Sequence, residues 1–249
     1  MKQFLLLIIF IPCMALCGRA QYTLAGKIEY EKKTNVHALL QDGNDDESDN
    51  SWLERMKSTV PKFSSAFFDL IFDSSRSIYK PGKEVDNPNK MFGTPPASDN
   101  IILTDFNASA VKAIKNVYEQ KFFVQDSMRK LKWVEKDELR TIADYKCHKA
   151  VSKICDSVYV VAFYTEDIPV SGGPEMFGGL PGMIMELAIP RLHTTWTADK
   201  IELISPAEAD FKISEKGKKV TEKELSETIQ SSLKSWGKWG TKYIWWTVL

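Results

Sequence analysis

Histidine and cysteine are scarce in this chain: three His and four Cys in 249 residues. Neither His-Glu-x-x-His nor Cys-x-x-Cys occurs, so the usual zinc-ligand spacings are missing. An excess of positive charge is missing too, since 33 Lys and Arg balance 33 Asp and Glu. That removes the electrostatic footprint of a nucleic-acid binder. The chain lacks the Gly-x-Gly-x-x-Gly and P-loop patterns that cradle phosphates, and the Gly-x-Ser-x-Gly nucleophile elbow. The expectation is a non-enzyme with no cofactor. What is present is 43% hydrophobic and 11% aromatic residues, the composition of a folded globular protein.

The one long apolar run stands at the N-terminus. Lys2 precedes Phe4 to Ile11, weaker hydrophobicity continues to Leu16, and Gly18 and Ala20 occupy the −3 and −1 places of a cleavage site. Residues 1–20 read as an export signal cut before Gln21, and residues 21–249 as a single domain. The run is shorter than the ~20 residues that span a bilayer, so no transmembrane segment follows cleavage. Cleavage leaves Cys147 and Cys155, in a compartment where disulfides persist. On one extended strand the two would lie about 26 Å apart, beyond disulfide reach. A bond needs the chain to reverse between them. Ser152-Lys153 could start a turn, but Asp156-Ser157 is the better turn centre, which leaves two free thiols.

Lys27 to Glu31 alternates apolar and charged residues, as a half-buried strand does. Gln41 to Asn50 is acidic. Asp42, Asn44 and Asp46 match the start of a calcium loop, but Glu47 and Leu53 stand where Gly and Glu are required, so this is a solvated loop. Trp52 to Met56 reads as a short helix capped by Ser51 and stopped by Pro61. Ala66 to Ile78 has strand composition, Lys80 to Asn100 reads as a surface loop, and Ile101 to Arg140 holds further apolar runs. Strands are predicted over Ile142–Ser152, Val158–Thr165, Met183–Ile189 and Ile201–Ile204. Thr221 and Glu224 form a capping box ahead of the stripe Leu225, Ile229, Leu233 and Trp236, with Gly237 as the stop. Tyr243 to Leu249 reads as a final strand.

The most distinctive stretch runs from Tyr164 to Leu187. Leu180-Pro181-Gly182-Met183 suits a type II turn with Gly182 at positive φ. Gly178 and Gly179 permit close packing or a sharp bend. Gly172-Gly173-Pro174-Glu175 suits the start of a helical turn, with Glu175 favourable to its dipole. Met176-Phe177 would plug into apolar surface between these devices. The strand before them, Val158 to Tyr164, is apolar on both faces, so it is either sandwiched or lines a cavity. Val158, Val160, Ala162, Tyr164 and Phe177 are the candidate ligand-facing residues.

Gly179-Leu180-Pro181-Gly182-Met183-Ile184 resembles the motif that names the GLPGLI family, an exported Bacteroidota group of largely unassigned function. Asp144-Tyr145-Lys146-Cys147-His148-Lys149-Ala150 resembles that family's Gly-Tyr-x-Cys-x-Lys-Ala segment, with Asp144 in place of Gly. Ala162-Phe163-Tyr164-Thr165 resembles its Ala-Trp-Tyr-Thr, and Lys216 to Thr221 its basic run before the last helix. The resemblance implies a mainly β, α+β architecture: a curved antiparallel sheet, an open half-barrel like that of lipoprotein carriers, with a C-terminal amphipathic helix. It carries over no catalytic residues.

Among the histidines His37, His148 and His193, only His148 neighbours a cysteine, and on a strand Cys147 and His148 point to opposite faces. The leading expectation is an exported protein of the periplasm or outer-membrane periphery that binds an apolar ligand or a partner, without catalysis, on the concave sheet face. The alternatives are an interaction subunit of an outer-membrane assembly and a metal-handling protein acting through Cys147.

Overall fold

The computed structural model describes residues 24–43, 50–84, 97–117, 120–155, 157–233, 243–247 and 249. Its strands are β1 (Gly26–Asn35), β2 (Phe63–Phe72), β3 (Arg76–Pro81), β4 (Ile101–Asp105), β5 (Ala110–Val117), β6 (Gln120–Ser127), β7 (Val134–Ile142), β8 (Tyr145–Ile154), β9 (Val158–Thr165), β10 (Met183–Ile189), β11 (Thr194–Glu202) and β12 (Lys218–Val220). Besides a short helical stretch near the C-terminus, the helices are α1 (Val36–Gly43), α2 (Asn50–Thr59) and α3 (Glu222–Ser232). All twelve strands belong to one open sheet, ordered β12-β6-β5-β4-β3-β2-β1-β11-β10-β9-β8-β7. Only β12 pairs in parallel, with β6.

The order resolves into two meanders. Strands β1 to β6 run outward as successive neighbours, β7 to β11 run inward, and the halves join where β1 pairs with β11. Alternation then aligns apolar side chains in a row across the first half. Ile28, Leu70, Tyr79, Ile102, Ala113 and Val124 are consecutive ladder partners, and all are buried. A flat sheet of twelve strands would be about 50 Å wide. Here Val220 at one edge and Ile142 at the other share a single apolar core, so the sheet is curved.

That core is covered by the β9–β10 connection, by residues 97–100 and by residues 243–247 and 249. A smaller cluster of Ile71, Ile78 and Phe211 forms separately, with the Arg76 guanidinium 4.1 Å from the Phe211 ring. Helix α3 packs Leu225 and Ile229 inward, and Leu233 at its end is also buried. The Thr221 hydroxyl accepts from the Glu224 amide at 3.2 Å, and the Thr221 amide donates to the Glu224 carboxylate at 2.8 Å, which completes the expected capping box.

Several expectations need correction. The strand expected over Ile142–Ser152 is broken after Ile142, because Ala143 and Asp144 form a two-residue turn with φ of 45° and 68°. Such turns usually carry Asn-Gly, so Ala-Asp gave no signal. The strand expected over Ile201–Ile204 is the end of the longer β11, and Leu203 and Ile204 lie past it, exposed. Tyr243 to Thr247 is helical, not a strand. Helix α1 was not expected; it adjoins α2, which runs from Asn50 to Thr59. The signal at residues 1–20, the calcium-loop residues Asn44 and Asp46, and the helix stop at Trp236-Gly237 lie outside the described residues. No helix among the described residues is long and apolar enough to cross a membrane.

Candidate functional site

The β9–β10 connection, residues 166–182, is tied down along its length by backbone bonds. Met183 donates to Ile168 O at 3.0 Å, Ile184 to Gly172 O at 2.9 Å, and Met176 to Leu249 O at 3.1 Å. The Trp133 indole donates to Gly178 O at 2.9 Å. Met176, Phe177 and Leu180 are buried, as a plug should be, while Pro181 is exposed.

The glycines work differently from the expected type II turn. Gly182 does not have positive φ; a β-carbon there would stand 1.9 Å from Thr165 O, so it is required by close approach. The left-handed glycine is Gly179, with φ of 85°. Gly178 approaches Ser171 O and Gly173 approaches Ile184 so closely that a β-carbon would collide at 2.6 and 2.9 Å. Gly172 has room for ordinary contact at 3.4 Å.

Pro174 starts a single turn closed by the Phe177 amide on Pro174 O at 3.3 Å, not a helix. Glu175 within it has φ of 55°, a conformation rare for a residue with a β-carbon. The strained turn sends the Glu175 side chain into the core, where it is 2% exposed. Its Oε2 accepts from Asn100 Nδ2 at 2.8 Å and its Oε1 from the Tyr79 hydroxyl at 3.5 Å. Tyr79 in turn accepts from the Trp196 indole at 3.1 Å. Two lysines share this region. Lys32 on β1 donates to Ala97 O at 2.6 Å, and Lys115 on β5 donates to Thr247 O at 2.9 Å. The Lys32 ammonium lies among three aromatic rings: Trp246 at 4.7 Å, Trp196 at 5.3 Å and Phe68 at 5.7 Å.

Burial governs the charges. Desolvation raises the Glu175 carboxyl above its ordinary range, opposed by Lys32, Asn100, Lys115 and Tyr79. Desolvation lowers Lys32 to about 8, against the pull of Glu175 and Asp99. Desolvation, aided by Arg129, lowers Lys115 to about 8, against Glu175 and Glu222. The arrangement brings an acid and two amines toward their neutral forms in an apolar interior, the condition under which such groups exchange protons or act as nucleophiles.

Of these four only Glu175 is named from the sequence, and there for a helix dipole; Lys32, Lys115 and Asn100 are not, yet a signal exists for the lysines. Lys32 continues the inward series Ile28, Tyr30, and Lys115 stands between the inward Ala113 and Val117. A lysine at an apolar place of an alternating strand needs a buried partner.

The expected ligand-facing residues are placed otherwise. Val158, Val160 and Ala162 have no exposure, and Tyr164 and Phe177 are 2% and 3% exposed. They are core residues here, packed in the same cluster as the plug. On the other side of β9, Phe163 lies under Arg140, 4.0 Å away, and Lys149, so the strand is covered on both faces there, while Tyr159 on the same outer face is exposed. The cavity against the plug, between Phe106, Met128, Gly172 and Phe177, measures ≈ 10 Å³, about one water. Cys147 is buried, its thiol pushed up to about 11 chiefly by desolvation, and Cys155 is exposed; the two are not bonded to each other. No three His, Cys, Asp or Glu side chains form a metal-binding group among the described residues.

With this geometry in hand, comparison with known proteins adds two findings. The family described as "Protein of unknown function (Porph_ging)" matches residues 112–186, a span that holds β8, β9 and the plug. No curated protein matches. Two crystal forms of PNGF-II are similar in structure. One has a TM-score of 0.53 at 15% identity over 79% of this chain, the other 0.52 at 14% over 90%. The chain spans about a third of the length of PNGF-II, 32% and 33% in the two forms. At that identity the likeness is one of fold: a mostly β, open-sheet architecture shared with part of a larger protein.

Proposed function

We propose that this chain is a GLPGLI-type protein exported to the periplasm or outer-membrane periphery, where it binds a partner protein without catalysis. The segments that resemble that family at Asp144–Ala150, Ala162–Thr165 and Gly179–Ile184 all fall within the matched residues 112–186. One observation favours a partner over a small ligand. Against the plug the interior face leaves a cavity of only ≈ 10 Å³, while Leu24, Leu203 and Ile204 remain 52%, 69% and 37% exposed. All three lie just beyond the Lys27–Glu202 end of the β1–β11 ladder, at one rim of the sheet. Clustered exposed apolar residues mark interaction surfaces. The partner this reading fits is an outer-membrane protein offering a matching apolar strip.

The test is in-cell crosslinking of the wild type beside a Leu203→Asp, Ile204→Asp variant whose melting temperature is unchanged. Loss of one specific envelope crosslink in the variant is the expected result; its retention rejects the rim as the docking surface. Native mass spectrometry of gently purified protein is the second arm. A non-covalent excess mass that disappears on denaturation would return the reading to a ligand on the concave face.

A further inference from the structure

The strongest unassigned chemistry lies beneath the plug. Strands β4 and β5 pair with Ile101 opposite Ile114 and Ile102 opposite Ala113. Continued by one residue, this register sets Asn100 opposite Lys115, on the inward face that Ile102 and Ala113 share. Antiparallel partners of this kind have α-carbons about 4.5–5.5 Å apart, within mutual reach of a lysine and an asparagine. Both residues are 2% exposed. Glu175 adjoins both: it accepts from Asn100 Nδ2 at 2.8 Å and interacts electrostatically with Lys115. Lys115 Nζ donates one hydrogen bond to Thr247 O, which in the neutral form leaves the amine lone pair available.

We propose that Lys115, Asn100 and Glu175 form a self-processing site, in which Lys115 Nζ and Asn100 Cγ join as an intramolecular isopeptide bond. The amine lone pair attacks Asn100 Cγ, and the new C–N bond forms as the carbonyl opens to a tetrahedral centre. Glu175, whose burial favours the neutral acid, gives its proton to Nδ2 and takes up the proton shed by Nζ. The C–Nδ2 bond then breaks, ammonia leaves, and the carbonyl reforms. One amine and one primary amide become one secondary amide and ammonia; nothing is oxidised, and Glu175 is restored. The chain supplies what this reaction needs: a desolvated amine, a desolvated acid touching the leaving nitrogen, and an interior with little water to compete. The strained Glu175 turn gains a purpose, because φ of 55° is what drives this carboxyl inward.

Intact-mass and peptide-map analysis of the full chain, purified folded from its host, tests the proposal. The wild type is expected to be about 17 Da lighter than its sequence for loss of one ammonia, with the Asn100 and Lys115 peptides joined. Glu175→Gln and Lys115→Arg should each regain the ammonia and yield separate peptides. A wild type whose two peptides are unlinked overturns the proposal without reference to any variant. Cyclisation of an N-terminal Gln21 would give the same loss; if the map places the whole loss there, the proposal fails. It fails likewise if Asn100 is joined to Lys32, or if the link survives in a folded Glu175→Gln protein.

Discussion

Lys32 on β1 lies directly opposite Trp196 on β11, and its ammonium stands 5.3 Å from the indole ring. This pair sits on the seam where the two meanders join. Through Trp196, Tyr79 and Glu175, the seam is connected to the plug by successive hydrogen bonds. The apolar inner face of the sheet therefore carries a buried polar cluster at this seam, and the plug completes it through Glu175.

Burial holds Lys32 at about 8, while the ordinary value is 10.5. Between these values the unfolded chain keeps a proton that the folded chain has lost, so this group makes stability rise with pH across that window. Below about 8 both states are charged and the desolvation penalty is present in full. Wild type minus Lys32→Met should show a stability difference that grows on the order of 3 kcal/mol from pH 8 to pH 10.5. Urea titrations at several pH values measure it, and parallel curves for the two proteins would contradict it.

Gly182 and Gly172 separate close approach from mere glycine content. Gly182→Ala drives a β-carbon into Thr165 O and should destabilise by about 3 kcal/mol or more, through displacement of the plug. Gly172→Ala meets only ordinary contacts and should change stability by less than about 1 kcal/mol. Thermal melts of the two variants give the comparison, and equal losses would remove the argument.

The cap of α3 should behave as an isolated contribution. Thr221→Ala removes the acceptor for the Glu224 amide and should lower stability by about 1 kcal/mol. Chemical denaturation measures this directly, and Thr221→Ser should recover most of the loss.

The two thiols should differ sharply in reactivity. Cys155 is exposed, whereas Cys147 is buried with its thiol pushed up to about 11. Thiolate is the reactive form, so an alkylating reagent at pH 8 should label Cys155 promptly and Cys147 only after unfolding. Comparable labelling of both in the native protein would show that Cys147 is not sealed as described.

Local chemistry made much of the architecture legible in the sequence. Val158–Thr165 and Met183–Ile189 form strands over the expected residues, because consecutive β-branched and aromatic residues bounded by turn formers leave little alternative. Thr221 and Glu224 fixed the start of α3 by satisfying amides within one turn of chain. The plug was recognisable as a tight device from its glycines and prolines. Its internal conformation was not, since whether Gly182 or Gly179 bends depends on Thr165 O, which belongs to β9.

What the sequence alone determined was the set of local periods and caps: a mainly β chain with one capped helix and a Gly-rich closure. Tertiary structure decided which face was covered and by what. Val158, Val160 and Ala162 could have lined a cavity as readily as a core, and only the descent of residues 166–182 made them core. The cluster of Glu175, Asn100, Lys32 and Lys115 joins residues far apart in the chain, so alternation could mark the two lysines as out of place but not show which partners they meet. A buried charge is tolerated only where distant segments supply its partners, and those partners are fixed when the sheet curls and the plug comes down.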